Sequence, residues 1–348
     1  MKLPPEKIDG MLASATGNPW AMFRVAGLMR RAGQEARALA LCAELKESAE
    51  GHLAEEIRRF MVDDIPGWHF SLVRDAARLD VYDSAMRRAI RPGMRVLEIG
   101  AGSGILAMMA ARAGAAEVIT CEVNPAIAAV ATEIIALNGY ADRVRVIARH
   151  SDQLDVDVDL GGPADLLVSE IIANDMVGEG VLPSHERAVR KLLVPGATVI
   201  PGVGVIRVAL ASDGRQVSEE LGMIGGFDLS PLNRLRGKPT RVAVGSRAID
   251  LRSDAADLFR FDFAFRTPPP TRATVTLRSE GGTINAIVQW IALELDGEGR
   301  YENRPDPGAV SNWAPIVTPL PVPIETVPGQ IVHIHGAQNG TALTIWTD

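Results

Sequence analysis

Apolar positions change their period twice along the chain, and the changes divide it into three. Between residues 18 and 62 they recur every three or four places. Trp20, Phe23, Leu28 and Met29 mark one stripe, Leu39, Leu41 and Leu45 a second, and Leu53, Ile57, Phe60 and Met61 a third. That period predicts helices, punctuated by Gly33 and Gly51. From residue 95 onward, short unbroken apolar runs alternate with helical stretches. Strands are expected at 95–99, 117–121, 143–148, 164–169 and 197–200, and helices at 105–113, 126–137 and 185–193. Strands alternating with helices predict a parallel Rossmann-like sheet. After Pro201 the pattern becomes short alternating strands, at 203–211, 241–244, 259–265, 272–277, 283–295, 330–335 and 342–346. Proline and glycine separate them, as in an antiparallel β-barrel or sandwich. The expected class is α/β: a helical region over 1–66, a Rossmann-like domain over 67–201, and a β-barrel domain over 202–348.

The pair 18–31 and 34–49 resembles a tetratricopeptide hairpin, and one copy cannot build a solenoid. It reads as a helical cap, packed on the next domain or offering a surface for dimer or substrate contact.

The richest chemistry lies in MRVLEIGAGSGILAMMAARAGAAEVITCEVN, residues 94–124. The first strand carries Glu98 and runs straight into Gly100, Gly102 and Gly104. Glycines are needed where a chain turns sharply and a ligand lies against backbone. The second strand ends in Glu122, whose carboxylate can accept two hydrogen bonds from a ribose diol. NAD and S-adenosylmethionine both fit this pattern, and so does a tight turn with no ligand. Ser151 and Asp152 follow the third strand, where an adenine would sit. Glu170 ends the fourth strand and Glu179 stands nine residues on, in SEIIANDMVGEG. Two carboxylates in one pocket raise a pKa or demand a cation. A planar guanidinium matches their fork, although a solvated loop would also carry such a pair. Upstream, Asp75, Arg78 and Tyr82 are spaced to share one helical face. Arg78 there can hold a ligand carboxylate, which adenosylmethionine has and NAD lacks, or simply pair with Asp75.

Composition narrows the partners. The formal charge is -7, from 36 basic and 43 acidic residues, with no basic block. That argues against general nucleic-acid binding. Cys42 and Cys121 are far apart, and neither a disulfide framework nor a thiolate metal site is suggested. Of the six histidines, those at 69, 150, 185, 333 and 335 form no ligand constellation, so no metal is expected. MKLPPEKIDG has no signal-like apolar region, and no uncharged apolar run could span a membrane. The expectation is a cytoplasmic protein, and the Ala, Gly and Arg usage suggests a GC-rich bacterial genome.

Taken together, these motifs resemble the protein arginine methyltransferase family over about residues 67–340. VLEIGAGSGILAMMAARAGA is similar to its cofactor motif, Glu122 to its ribose-binding acid, and Asp75, Arg78 and Tyr82 to its DxxRxxxY helix. Glu170 and Glu179 match its double-E loop in position and spacing. SEIIANDMVGEGVLP most resembles the branch with the monomethylating type-seven enzymes. GGFDLSPLNRLRG, residues 225–237, resembles its dimerisation arm, and Ser311-Asn312-Trp313 stands where the family has Thr-His-Trp.

The resemblance implies a class I methyltransferase domain, a barrel, and S-adenosylmethionine as cofactor. It places Glu98, Gly100, Gly102, Gly104, Glu122, Arg78, Ser151 and Asp152 on that cofactor. Glu170, Glu179 and Asp75 are implied in catalysis, and Tyr82, Met176, Asn312 and Trp313 on the substrate. It also implies a homodimer, with the arm at about 220–240. Asn312 replaces the family histidine that pairs with the aspartate, so a histidine–aspartate proton relay is not expected. The expected reaction is monomethylation of an arginine guanidino group. Free L-arginine is slightly preferred over a peptide-bound residue, because the charge is only mildly acidic and the N-terminal helices can close the cleft. Two readings from other classes are an NAD-dependent oxidoreductase and a non-catalytic dimeric scaffold.

Overall fold

A computed structural model describes residues 4–62, 67–215, 221–235, 237–306, 309 and 311–348. The expected end of the cap at 64–66 lies outside these, as do 216–220 and Arg236 of the arm.

The cap is four helices: α1 (Pro5–Ala15), α2 (Pro19–Arg31), α3 (Glu35–Lys46) and α4 (Gly51–Val62). The apolar stripes place the first helix at 18, so α1 is an addition. It opens on prolines, whose missing N–H costs nothing in a first turn, and it buries Ile8 completely. Asn18 caps α2 by accepting from the Ala21 N–H at 3.1 Å. Val25, Ala26, Met29, Leu41, Cys42 and Ile57 form a core belonging to the cap alone.

Next come α5 (Trp68–Leu72) and α6 (Ala76–Ala89). Of the three residues expected on one helical face, Arg78 and Tyr82 lie in α6, while Asp75 stands just before it as the N-cap, after a break at 73–75.

The nucleotide-type sheet follows: β1 (Arg95–Ile99), α7 (Ile105–Arg112), β2 (Glu117–Cys121), α8 (Pro125–Leu137), β3 (Val144–Ile147), β4 (Ala164–Ser169), α9 (Val181–Lys191) and β5 (Leu193–Ile200). Its order is β3-β2-β1-β4-β5, all parallel. The direction of winding switches between β1 and β4, which opens a crevice at their carboxyl ends. β5 begins at Leu193, where a helix end was expected. Its pairing with β4 shifts register after Ala164↔Leu193, and this accommodates Pro195 and Gly196. The cap sits on this sheet through α3 against α8, on the β2–β3 side. The expected closure of the acceptor cleft by these helices is not what anchors them.

The C-terminal half contains β6 (Val203–Asp213), the hairpin β7 (Met223–Ile224) and β8 (Phe227–Asp228), β9 (Thr240–Arg241), β10 (Ile249–Leu251), β11 (Ala256–Asp262), β12 (Arg272–Arg278), β13 (Gly282–Glu294), β14 (Arg300–Glu302), β15 (Ile316–Thr326), β16 (Ile331–Gln338) and β17 (Leu343–Thr347). Seven strands pair antiparallel around β6, β13 and β15, and β12-β16-β17 form a second sheet. The ladder does not close into a barrel among the described residues. The two sheets face each other instead, and a Cβ on Gly336 would come within 2.4 Å of the Phe259 ring. β15 escaped the sequence pattern because Pro319, Pro321 and Pro323 read as loop. The register shift between Ile284 and Ala286 of β13 skips the stretch that holds two of them.

One continuous apolar core runs from Tyr82, Leu97 and Ile119 through Phe263 and Ile291 to Tyr301 and Trp313. The two large units therefore share an interior, and the crevice lies along their seam. Among the described residues no helix is long and apolar enough to cross a membrane.

Candidate active site

The turn after β1 carries Gly100, Gly102 and Gly104 at φ +87°, +52° and +77°. Side chains resist this region. At Gly100 a Cβ would also lie 2.6 Å from Ile171 Cγ2. Glu122, at the end of β2, is held by two backbone donors: Gly102 N–H to Oε2 at 3.1 Å and Asn124 N–H to Oε1 at 2.9 Å. Each oxygen keeps a second lone pair for a hydroxyl.

Glu98 is fully buried beneath this turn, and neither carboxyl oxygen has a hydrogen-bond partner among the described residues. Burial pushes its pKa up to about 8. Thr120 opposes the shift without reaching hydrogen-bond geometry, and Glu122 adds to it. A buried polar group without partners needs an explanation, and a ligand bearing N–H groups or positive charge supplies one. Ser151 is buried at the head of a short 3-10 turn, and Asp152 is exposed beside His150. Orphaned acid, glycine cradle, ribose-competent Glu122 and buried serine together fit an adenosyl amino acid.

The second half of the site is built around α6. Asp75 Oδ1 accepts from the Arg78 N–H at 3.1 Å. The Arg78 guanidinium is buried and donates from Nη1 to Glu170 Oε2 at 2.7 Å and from Nη2 to the Leu72 carbonyl at 2.6 Å. The Asp75–Arg78 ion pair open to the sequence is replaced by Arg78–Glu170. Trp313 covers the same guanidinium, with its ring 5.6 Å away. Burial raises Glu170 to about 7, Arg78 lowers it, and Glu179 and Asp75 raise it. Glu179 meets solvent on one side while protein crowds the other. That crowding and Asp175 raise its pKa, and Arg241 opposes them.

The Glu170–Glu179 loop is tied to the Trp313 loop, since Asn174 Oδ1 accepts from the Ala314 N–H at 2.6 Å.

Two residues expected on the substrate are wholly buried. Tyr82 is wholly buried and donates to the Ser169 carbonyl at 3.1 Å, behind the strand that presents Glu170. Met176 is also wholly buried. Its left-handed backbone (φ 72°) turns the side chain inward, so that a Cβ on Gly204 would lie 2.8 Å from its sulfur. Asn312 is exposed and reaches Asp75 only through its backbone N–H at a long 3.5 Å, while its side-chain amide makes no hydrogen bond among the described residues.

Tyr301 fills that place. Its hydroxyl donates to Asp75 Oδ2 at 2.7 Å, bonds Ser311 Oγ at 2.7 Å, and its ring meets Trp313 edge-on at 5.5 Å. Asn303 is buried beside it and donates to the Trp313 carbonyl at 2.9 Å. No local motif announces either residue. His185 is buried beneath β4, 2.5 Å from Ser169 Oγ, and burial lowers its pKa to about 4. Among the described residues no group of three His, Cys, Asp or Glu side chains is placed to hold a metal.

A family model described as ribosomal protein L11 methyltransferase matches residues 79–204. The chain is 35% identical over 320 residues to an arginine N(omega)-methyltransferase of Streptomyces achromogenes subsp. streptozoticus, covering 88% of each. It is 33% identical over 254 residues to protein arginine N-methyltransferase 7 of Oryza sativa subsp. japonica, covering 66% of this chain and 35% of that protein. Among solved structures, a Trypanosoma brucei PRMT1 enzyme–prozyme heterotetrameric complex with AdoHcy aligns with a TM-score of 0.71 at 23% identity, over 80% of this chain and 91% of that one. Arabidopsis thaliana protein arginine methyltransferase 10 aligns at 0.64 and 17% identity, over 79% of this chain and 89% of that one. At such identities the structural likeness is one of fold.

Proposed function

The chain belongs to the arginine N-methyltransferase family, an enzyme family that uses S-adenosylmethionine, and on that premise we propose that it adds a single methyl group to a guanidino nitrogen, with free L-arginine as the preferred acceptor. Family membership sets aside both the oxidoreductase and the silent scaffold. Bound S-adenosylmethionine supplies a methyl on an electrophilic sulfonium.

The protein's own residues do the rest. Glu122 holds the ribose, with Ser151 and Asp152 at the adenine. Gly100, Gly102 and Gly104 admit the ligand to the backbone, and Glu98 and Arg78 bracket the amino-acid end. Residues 67–201 thus carry the cofactor, and the 202–348 half brings Trp313 over the acceptor.

Glu170 and Glu179 fix the guanidinium and draw its charge toward the nitrogens they touch. The remaining nitrogen then faces the methyl with more lone-pair character. Most of the rate gain is alignment and fixed electrostatics. One observation carries the reading: Glu170, on one loop with Glu179, pairs with the buried Arg78 that Trp313 covers.

The preference for free arginine is supported by the relative named for arginine rather than protein arginine. Its match over 88% of the chain must run into the N-terminal helices, because the residues after 66 make up less than that. The single-methyl product is supported by the type-seven relatives, of whose length the chain spans about a third. Partner and compartment follow the same reading: a homodimer acting on a small cytoplasmic substrate.

The test offers S-adenosylmethionine with free arginine, arginine blocked at both ends, and a peptide with internal arginine, reading products by mass spectrometry. Free arginine should give the highest kcat/KM and a single added methyl. A blocked or internal arginine as the better acceptor would overturn the free-amino-acid reading.

A further inference from the structure

The geometry points to Tyr301 as a positioning residue for the methyl-transfer site, acting through Asp75 and Arg78 on Glu170. It rests on the assignment of Glu170 to the acceptor.

Three hydrogen bonds run in series. The Tyr301 hydroxyl donates to Asp75 Oδ2 at 2.7 Å, the Arg78 N–H donates to Asp75 Oδ1 at 3.1 Å, and Arg78 Nη1 donates to Glu170 Oε2 at 2.7 Å. Asp75 is 7% exposed, so its carboxylate depends on protein donors rather than water. Of its two oxygens, one caps α6 and the other is held by Tyr301. The 3.5 Å approach of the Asn312 N–H adds little at that length.

Tyr301 comes from β14, in the other half of the molecule, and pairs with Leu293 of β13. The turn joining these strands grips the far end of α6, where Arg88 Nε meets Asp296 Oδ2 at 2.7 Å. The β13–β14 hairpin therefore lies along α6 and is bonded to it at both ends. α6 carries Arg78, so its axial and rotational setting fixes where the guanidinium meets Glu170. The same hydroxyl bonds Ser311, whose Oγ accepts from the Trp313 N–H at 3.1 Å. One hydroxyl is thus bonded toward Arg78 through Asp75 and toward Trp313 through Ser311.

Tyrosine suits this task near neutrality. Burial pushes its ionisation well above the usual range, so the hydroxyl remains a donor throughout. The latch does not titrate where Glu170 does.

Removing the hydroxyl leaves a buried carboxylate oxygen without its donor, and α6 should settle differently. Glu170 is faced by Arg78, Glu179, Asp75, Tyr82 and Glu98, and Arg78 alone among them favours its ionised form. A looser Arg78 therefore raises the Glu170 pKa. The acid limb of kcat/KM, which reports free-enzyme groups, should move to higher pH.

The experiment compares wild type, Tyr301→Phe and Glu170→Gln across pH 5.5–9, with S-adenosylmethionine affinity and thermal midpoint recorded for each. Tyr301→Phe should lose about tenfold in kcat, the scale of one hydrogen bond to a charged group. Its acid limb should rise by about half a unit or more, with a thermal midpoint lowered by no more than a few degrees. If Tyr301→Phe does not fold, Ser311→Ala is read instead. It removes the second partner that orients the hydroxyl toward Asp75, and should shift the limb in the same direction by a smaller amount.

An unmoved pH profile and an undiminished kcat in the folded variant would overturn the role of Tyr301. Retained turnover in Glu170→Gln would instead overturn the acceptor assignment on which it rests.

Discussion

At the scale of single residues, the site works by raising carboxylates and then supplying cations. Glu170 lies near 7 without ligand, and a protonated acid cannot pair with a guanidinium. The kcat/KM for acceptor should therefore fall below about pH 7, while the guanidinium itself stays charged over the whole range. On the proposed reading, Glu170→Gln and Glu179→Gln each remove a charged partner of the acceptor, a loss on the order of 2–5 kcal/mol. Single-turnover rates should drop by more than tenfold with the fold and S-adenosylmethionine affinity retained. Rates within about threefold of wild type in both variants would remove these residues from the mechanism. The carboxylate pair was legible because nine-residue spacing after a strand is local information. Tyr301 was not, because its partner Asp75 lies far away in the sequence and meets it only across the seam.

At the scale of elements, interruptions matter as much as regular structure. The break at 73–75 makes Asp75 a cap and leaves its second oxygen for Tyr301, which a continuous helix would not do. The arm is the other telling element. Met223, Ile224, Phe227 and Leu232 are all exposed, with Phe227 at 73%. A cluster of exposed large apolar groups marks an interaction surface. With the proposed homodimer, this hairpin packs on a second copy in a closed two-fold arrangement, the commonest kind. Phe227→Asp should then shift the sedimentation profile at micromolar concentration from dimer toward monomer. A wild-type protein that sediments only as monomer would count against the arm.

At the scale of the whole molecule, the site's charges feed back on stability. Glu98 and Glu170 titrate at about 8 and 7 in the folded chain, against 4.5 as the ordinary value. Between about pH 6.5 and 8 the folded state holds protons that the unfolded state has lost. Stability should therefore fall as pH rises through that window. His185, lowered to about 4, is neutral in the folded state there; its opposite-signed effect comes from protonation in the unfolded state and fades as pH rises above about 6.5. A thermal-denaturation series from pH 6.5 to 8 should show a declining midpoint, and Glu98→Gln should flatten the decline. A midpoint that rises over this range would mean that the orphaned carboxyl is not buried as described.

Short apolar runs placed four of the parallel strands and the end of the fifth, because a buried strand declares itself by its own side chains. The glycine turn, Glu122 and the two loop carboxylates were equally local. Three outcomes needed the tertiary structure. β15 hid behind its prolines until β13 supplied a ladder to pair with. Whether the C-terminal strands close could not be read from them: among the described residues the ladder stays open and two sheets face each other, since closure depends on long-range register and not on any one strand. Arg78 found Glu170, and Asp75 found Tyr301, because the two halves share one core that carries distant segments to within hydrogen-bond reach. A sequence fixes which groups are available near one another along the chain. Which of them meet across a seam is set by how the whole interior packs.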